Sequence, residues 1–109
     1  MPLVTRMTKE VLISDKNLDL WLQWEGGVWF LHLTLHNTSK GLLQICKDHL
    51  GDFLIGSCRS LGIDPVFATA GSETTLKFYN MVRPYDYYEE INSPGSERTY
   101  LVGWDTDGN

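Results

Sequence analysis

No stretch of this chain approaches the ~20 consecutive apolar residues that a membrane-spanning helix requires. The opening residues Met1-Pro2-Leu3-Val4-Thr5-Arg6 lack the apolar centre of a secretion signal. Cysteine is scarce. Cys46 and Cys58 both fall in a predicted helix, and twelve residues of helix separate them by ~18 Å. That is too far for a disulfide in one straight helix, and too far for a shared metal. Both read as reduced thiols of a cytoplasmic protein. Basic residues are few and scattered, nine Lys and Arg against fourteen Asp and Glu, for a net charge of −5. Phosphate backbones require clustered cations, so no nucleic acid is expected as partner, and no membrane. The chain has no Ser/His/Asp order, no paired-cysteine motif and no Walker-type loop. Asn37-Thr38-Ser39 formally matches a glycosylation acceptor and is discounted without a secretion signal. There is no internal repeat and no low-complexity tract.

What is present suffices for one modest domain. The 109 residues are 42% hydrophobic, with four Trp and four Phe, enough for an ordered core. The segment from Leu18 to Leu61 carries most of the information. A hairpin folded at Gly26-Gly27 pairs Trp24 with Trp29, Leu22 with Leu31, Leu20 with Leu33 and Leu18 with Leu35. Every pair on that face is apolar. The other face pairs Gln23 with Phe30, Trp21 with His32 and Asp19 with Thr34.

Asn37-Thr38-Ser39 is rich in helix-capping residues, and a long helix follows over about 40–61. Its apolar stripe is Leu42, Leu43, Cys46, Leu50, Phe53, Leu54 and Leu61. Gly51 and Gly56 interrupt it, marking a kink, a close approach to a strand, or simply a weak spot. Gly62 followed by Ile63 suggests a Schellman ending. Residues 65–69 form a short strand, parallel to 28–36 across the helical crossover. Ser72 caps a second helix over about 73–82, which Pro84 stops. Strands at about 85–91 and 98–104 close the chain around Asn92-Ser93-Pro94-Gly95-Ser96, and residues 105–109 should fray. Residues 1–16 are undecided; Val11-Leu12-Ile13 is compatible with a short strand. The expectation is one α+β domain over 1–109, of order β-β-α-β-α-β-β, with two helices flanking a mixed sheet.

That order resembles the C-terminal two-thirds of the GNAT N-acetyltransferase fold, over residues 17–104. It is similar in particular to small divergent GNAT-like proteins of bacteriophages. The residues that carry the resemblance are Trp29-Phe30-Leu31-His32-Leu33-Thr34-Leu35-His36, Gly41-Leu42-Leu43, Ser60-Leu61-Gly62, Val66-Phe67-Ala68-Thr69 and Leu76-Lys77-Phe78-Tyr79-Asn80-Met81-Val82. Family enzymes hold the diphosphate of acetyl-CoA on a glycine-rich loop at the N-terminus of the long helix, where bare N–H groups face the anion. The matching residues here are Thr38, Ser39, Lys40, Gly41 and Leu42. Only Gly41 keeps the pattern, and two leucines follow it. The family's N-terminal strand and two helices, which build much of the acceptor wall, have no counterpart in the sixteen residues before the hairpin.

Tyr79 sits where the resemblance implies a general acid, and His32 is the candidate base. The plain alternatives are a core tyrosine and a packed cross-strand pair with Trp21. Tyr85, Tyr87, Tyr88, Tyr100 and Trp104, interleaved with Asp86, Glu89 and Glu90, read as a protein interface or as an edge strand protected by charge. The expectation is therefore a non-catalytic interaction or assembly protein of phage type. It would reside in the host cytoplasm or virion, with a protein partner or its own copies, and need no cofactor. The alternative is an N-acetyltransferase using acetyl-CoA. A third reading is an acidic inhibitor of a host enzyme.

Overall fold

The computed structural model describes residues 8–91 and 98–107. It is an α+β fold with one mixed sheet of six strands, in the order β1-β2-β3-β4-β6-β5. The strands are β1 (Lys9–Ser14), β2 (Leu18–Glu25), β3 (Val28–Leu35), β4 (Val66–Ala70), β5 (Tyr87–Ile91) and β6 (Thr99–Trp104). One pair, β3 with β4, is parallel; the others are antiparallel. The undecided N-terminal segment thus contributes a strand, and the order gains a β at its start. The turn expected at 92–96 lies outside the described residues.

The β2–β3 register matches the hairpin expectation pair for pair. Gly26 and Gly27 take φ of 62° and 97°, the left-handed conformations that a tight hairpin turn demands. Leu18, Leu20, Leu22 and Leu31 are consequently buried on one face.

The long helix runs as α1 (Lys40–Ile45), a π-helical turn (Cys46–Leu50) and α2 (Gly51–Leu61). Ser39 caps it, its hydroxyl accepting the Leu42 N–H at 3.2 Å. Gly62 ends it with φ of 72°, and Ile63 N–H donates to Cys58 C=O at 2.9 Å, as a Schellman motif requires. The expected stripe needs correction. Leu42, Cys46, Leu50, Leu54 and Cys58 are buried at a constant spacing of four, whereas Phe53 and Leu61 are exposed. Four residues of ideal helix overshoot one turn by about 40°, so a strict four-residue repeat drifts around the axis. The wider π turn takes up that drift. Gly51 follows it and lies against the Val82 carbonyl, so the close approach is to a helix end rather than to a strand. Gly56 has open space around it.

α3 (Glu73–Val82) starts at its Ser72 cap as expected and stops before Pro84. Its Tyr79 packs edge-on against Trp104 at 5.8 Å. The Trp104 indole N–H donates to Arg83 C=O at 2.8 Å. Both helical layers share one buried cluster with the inward residues of β2, β3, β4 and β6. The helices pack against the sheet as expected, on one side of it.

The chain end is also pinned rather than frayed over 105–107. Thr106 is fully buried, its hydroxyl donating to Ile63 C=O and its N–H to Asp64 Oδ1. Those backbone donors hold the Asp64 carboxyl below its ordinary pKa.

Candidate functional site

Strand alternation assigns the expected site residues that lie on strands to a side of the sheet. Tyr79 lies on the helix side. It is buried, and its phenol pKa is raised by that burial. His32 pairs with Trp21 on the opposite side, stacked at 5.2 Å, with Nε2 3.2 Å from Glu25 Oε2. The sheet stands between the candidate acid and the candidate base, so the two do not form one site.

On the helix side, β3 and β4 pair through only Trp29–Val66 and Phe30–Phe67 and are not paired beyond them. At the far end of β3 lies a cavity of about 540 Å³. Leu33, Leu35, Leu43, Phe78, Tyr79 and Met81 line it, together with Thr38, Thr74, Thr75 and Lys77. The cavity is apolar, as a slot for an alkyl or amide chain would be.

The helix start beside it is partly satisfied from within. Asn37 Oδ1 accepts the Ser39 N–H at 3.2 Å, Ser39 Oγ accepts that of Leu42, and Ser39 C=O that of Leu43. Only the Lys40 and Gly41 N–H groups lack a partner among the described residues. Leu42 turns into the core, and the space around Gly41 is open. The bulk of the leucines is therefore no obstacle; of the four N–H groups that a helix start leaves free, those of Ser39 and Leu42 are spent on capping and those of Lys40 and Gly41 are open.

The other side of the sheet carries no helix among the described residues. One register row crosses all six strands there: Lys9, Gln23, Phe30, Phe67, Gly103 and Tyr87. Phe30 and Phe67 stand 6.2 Å apart, Phe67 and Tyr87 6.0 Å. Gly103 permits this. A Cβ there would lie 2.6 Å from the Phe67 ring and 3.2 Å from that of Tyr87. The Lys9 ammonium sits 5.0 Å from the centre of the Trp21 ring. The Trp21 indole N–H is covered and has no acceptor among the described residues. His36 Nε2 lies 3.0 Å from Asp19 Oδ2 on the same side.

Of the five residues read as an interface, Tyr100 and Trp104 belong to the core. Tyr85, Tyr88 and Tyr100 stack in series at 5.8 and 6.1 Å, with Tyr85 half-buried. Tyr87 and Tyr88 are exposed, at 45% and 51%. Tyr87 OH donates to Asp105 Oδ1 at 2.6 Å, which raises its pKa. The sequence reading missed Phe30 and Phe67. Their signal was the alternation of each strand, which puts them on the side opposite the leucines.

Among the described residues no three His, Cys, Asp or Glu side chains are grouped to hold a metal ion, and no helix is long and apolar enough to cross a membrane. Comparison with protein-family models, with curated proteins and with solved structures finds no match to this chain.

Proposed function

We propose that this protein is a non-catalytic interaction or assembly protein that docks a protein partner on the helix-free side of its sheet. The observation that carries the reading is the row Phe30–Phe67–Tyr87 beside stacked Trp21 and His32. Half-buried aromatic groups on an uncovered sheet are the anchors that interfaces favour. The acceptor wall that the GNAT-like resemblance implies has no counterpart among the described residues, and a partner would supply it. A phage-type assembly protein in the host cytoplasm or virion remains the setting that the resemblance implies. The test is a photo-cross-linking amino acid at position 67, with position 47 on the helix layer as control. Cross-linking of one protein from 67 alone supports the reading. Equal labelling from both positions, or none, contradicts it.

One observation favours a second reading, an acetyl-CoA-dependent N-acetyltransferase: the apolar cavity beside Tyr79, where a pantetheine chain has room. Against it stand the capping of the Ser39 and Leu42 N–H groups and the separation of Tyr79 from His32.

A further inference from the structure

We infer that the outer edge of β5 accepts an extended, lysine- or arginine-bearing segment of another protein as a seventh strand. This surface is the free edge of the sheet; it adjoins the open side and shares Phe67 and Tyr87 with it. β5 ends the strand order, so alternate N–H and C=O groups along it have no strand beside them among the described residues. The two edges of the sheet differ. The β1 edge is broken by a register shift between Val11 and Ile13, which spoils it as a template. β5 pairs with β6 through five residues without a shift, and all five are exposed. A groove of about 580 Å³ opens on the face of the sheet inward of this edge, lined by Phe67, Asp86, Tyr87, Tyr88, Glu89 and Leu101.

The side chains of β5 select the occupant. Asp86, Glu89 and Glu90 make the edge acidic; Arg98 answers Glu90 at 3.3 Å, and Glu89 has no cationic partner among the described residues. A second copy fits badly. Two-fold antiparallel pairing sets one residue opposite its own mate. Centred on Glu89 it opposes Glu89 to Glu89, centred on Glu90 it opposes Glu90 to Glu90, and centred on Tyr88 it opposes Asp86 to Glu90. Every register that pairs three or more residues of β5 thus sets carboxylates face to face, which is destabilising. The same charges attract a strand bearing Lys or Arg at alternate positions. Main-chain bonds to β5 would give affinity, and the carboxylates the choice of partner.

The test uses the whole chain and a blocked heptapeptide of alternating lysine and valine. Amide exchange is followed residue by residue. At roughly ten times its Kd the peptide should slow exchange in β5 by about tenfold. Glu89→Lys, an exposed change that leaves the fold intact, should weaken binding by about fivefold. The same peptide N-methylated at alternate residues keeps its charge but cannot bridge strands, and should not protect β5. Four results overturn the inference: no binding, equal binding of the N-methylated peptide, protection confined to β2, β3 and β4, or β5 protection that rises with protein concentration alone. The third of these would leave the docking role of the open side untouched, and the last would assign the edge to a second copy.

Discussion

Gly51 and Gly56 lie five residues apart in one helical run, and replacing each with alanine should move stability in opposite directions. Alanine in a helix interior is worth about 1 kcal/mol over glycine. At Gly56 nothing lies within 4 Å of the new Cβ, so that gain stands nearly unopposed. At Gly51 the Cβ would press into the Val82 carbonyl oxygen and sit 3.2 Å from the Arg83 Cβ. The Val82 oxygen is backbone and cannot rotate away. Its helix end also carries the Arg83 carbonyl that accepts the Trp104 indole N–H. Overpacking of a rigid contact costs about 3 kcal/mol, the upper end of its usual range. The net expectation is a loss of about 2 kcal/mol for Gly51→Ala and a gain of up to about 1 kcal/mol for Gly56→Ala. At ~4–8 °C per kcal/mol for a domain of this size, Gly51→Ala should lower Tm by roughly 8–16 °C. Circular dichroism melts with urea titrations measure both. If Gly51→Ala is as stable as the parent, or if both variants shift the same way, the packing of the π turn against the end of α3 is wrong.

Three further outcomes follow from particular contacts. Gly103→Ala should destabilise by about 1–2 kcal/mol through displacement of the Phe67 and Tyr87 rings, and reduce cross-linking from position 67; unchanged urea midpoints would refute it. Thr106→Val removes the hydroxyl donor to Ile63 C=O and should cost about 1–3 kcal/mol, with hydrogen exchange at 105–107 rising. Burial, then the charge of Asp64, pushes the Cys58 thiol up to about 11 from 9.0. Between those values the unfolded chain loses its proton while the folded chain keeps it. Stability should therefore fall as pH rises through that window, by about 1.4 kcal/mol per unit at most. Cys58→Ala should flatten that slope, and thiol reagents should label Cys58 only as the chain unfolds.

Local chemistry made much of this fold readable. Gly26-Gly27 set the hairpin, Ser39 and Ser72 the helix starts, and Gly62-Ile63 the end of the long helix, because each depends on neighbours in sequence. β1 was not decided, because its apolar run straddles a register shift and its edge is half exposed. The phase of the long helix changed at a π turn that no periodicity announces. Trp104 and Tyr100 face inward because of β6's register with β4, a pairing across some thirty residues. The separation of Tyr79 from His32 was half legible. The hairpin register put His32 opposite the leucines, but only the crossover decides which side the helices cover. The open aromatic row needed all six strands in place before Phe30, Phe67 and Tyr87 met.

The claim beneath the functional reading is that the start of the long helix, with the Ser39 and Leu42 N–H groups already capped, does not hold a diphosphate. A thermal melt with 1 mM acetyl-CoA addresses it directly. We expect an unchanged Tm. A rise of roughly 10–20 °C, the ~2.7 kcal/mol that a ligand at 100 times its Kd contributes, abolished by Gly41→Asp, would contradict the account.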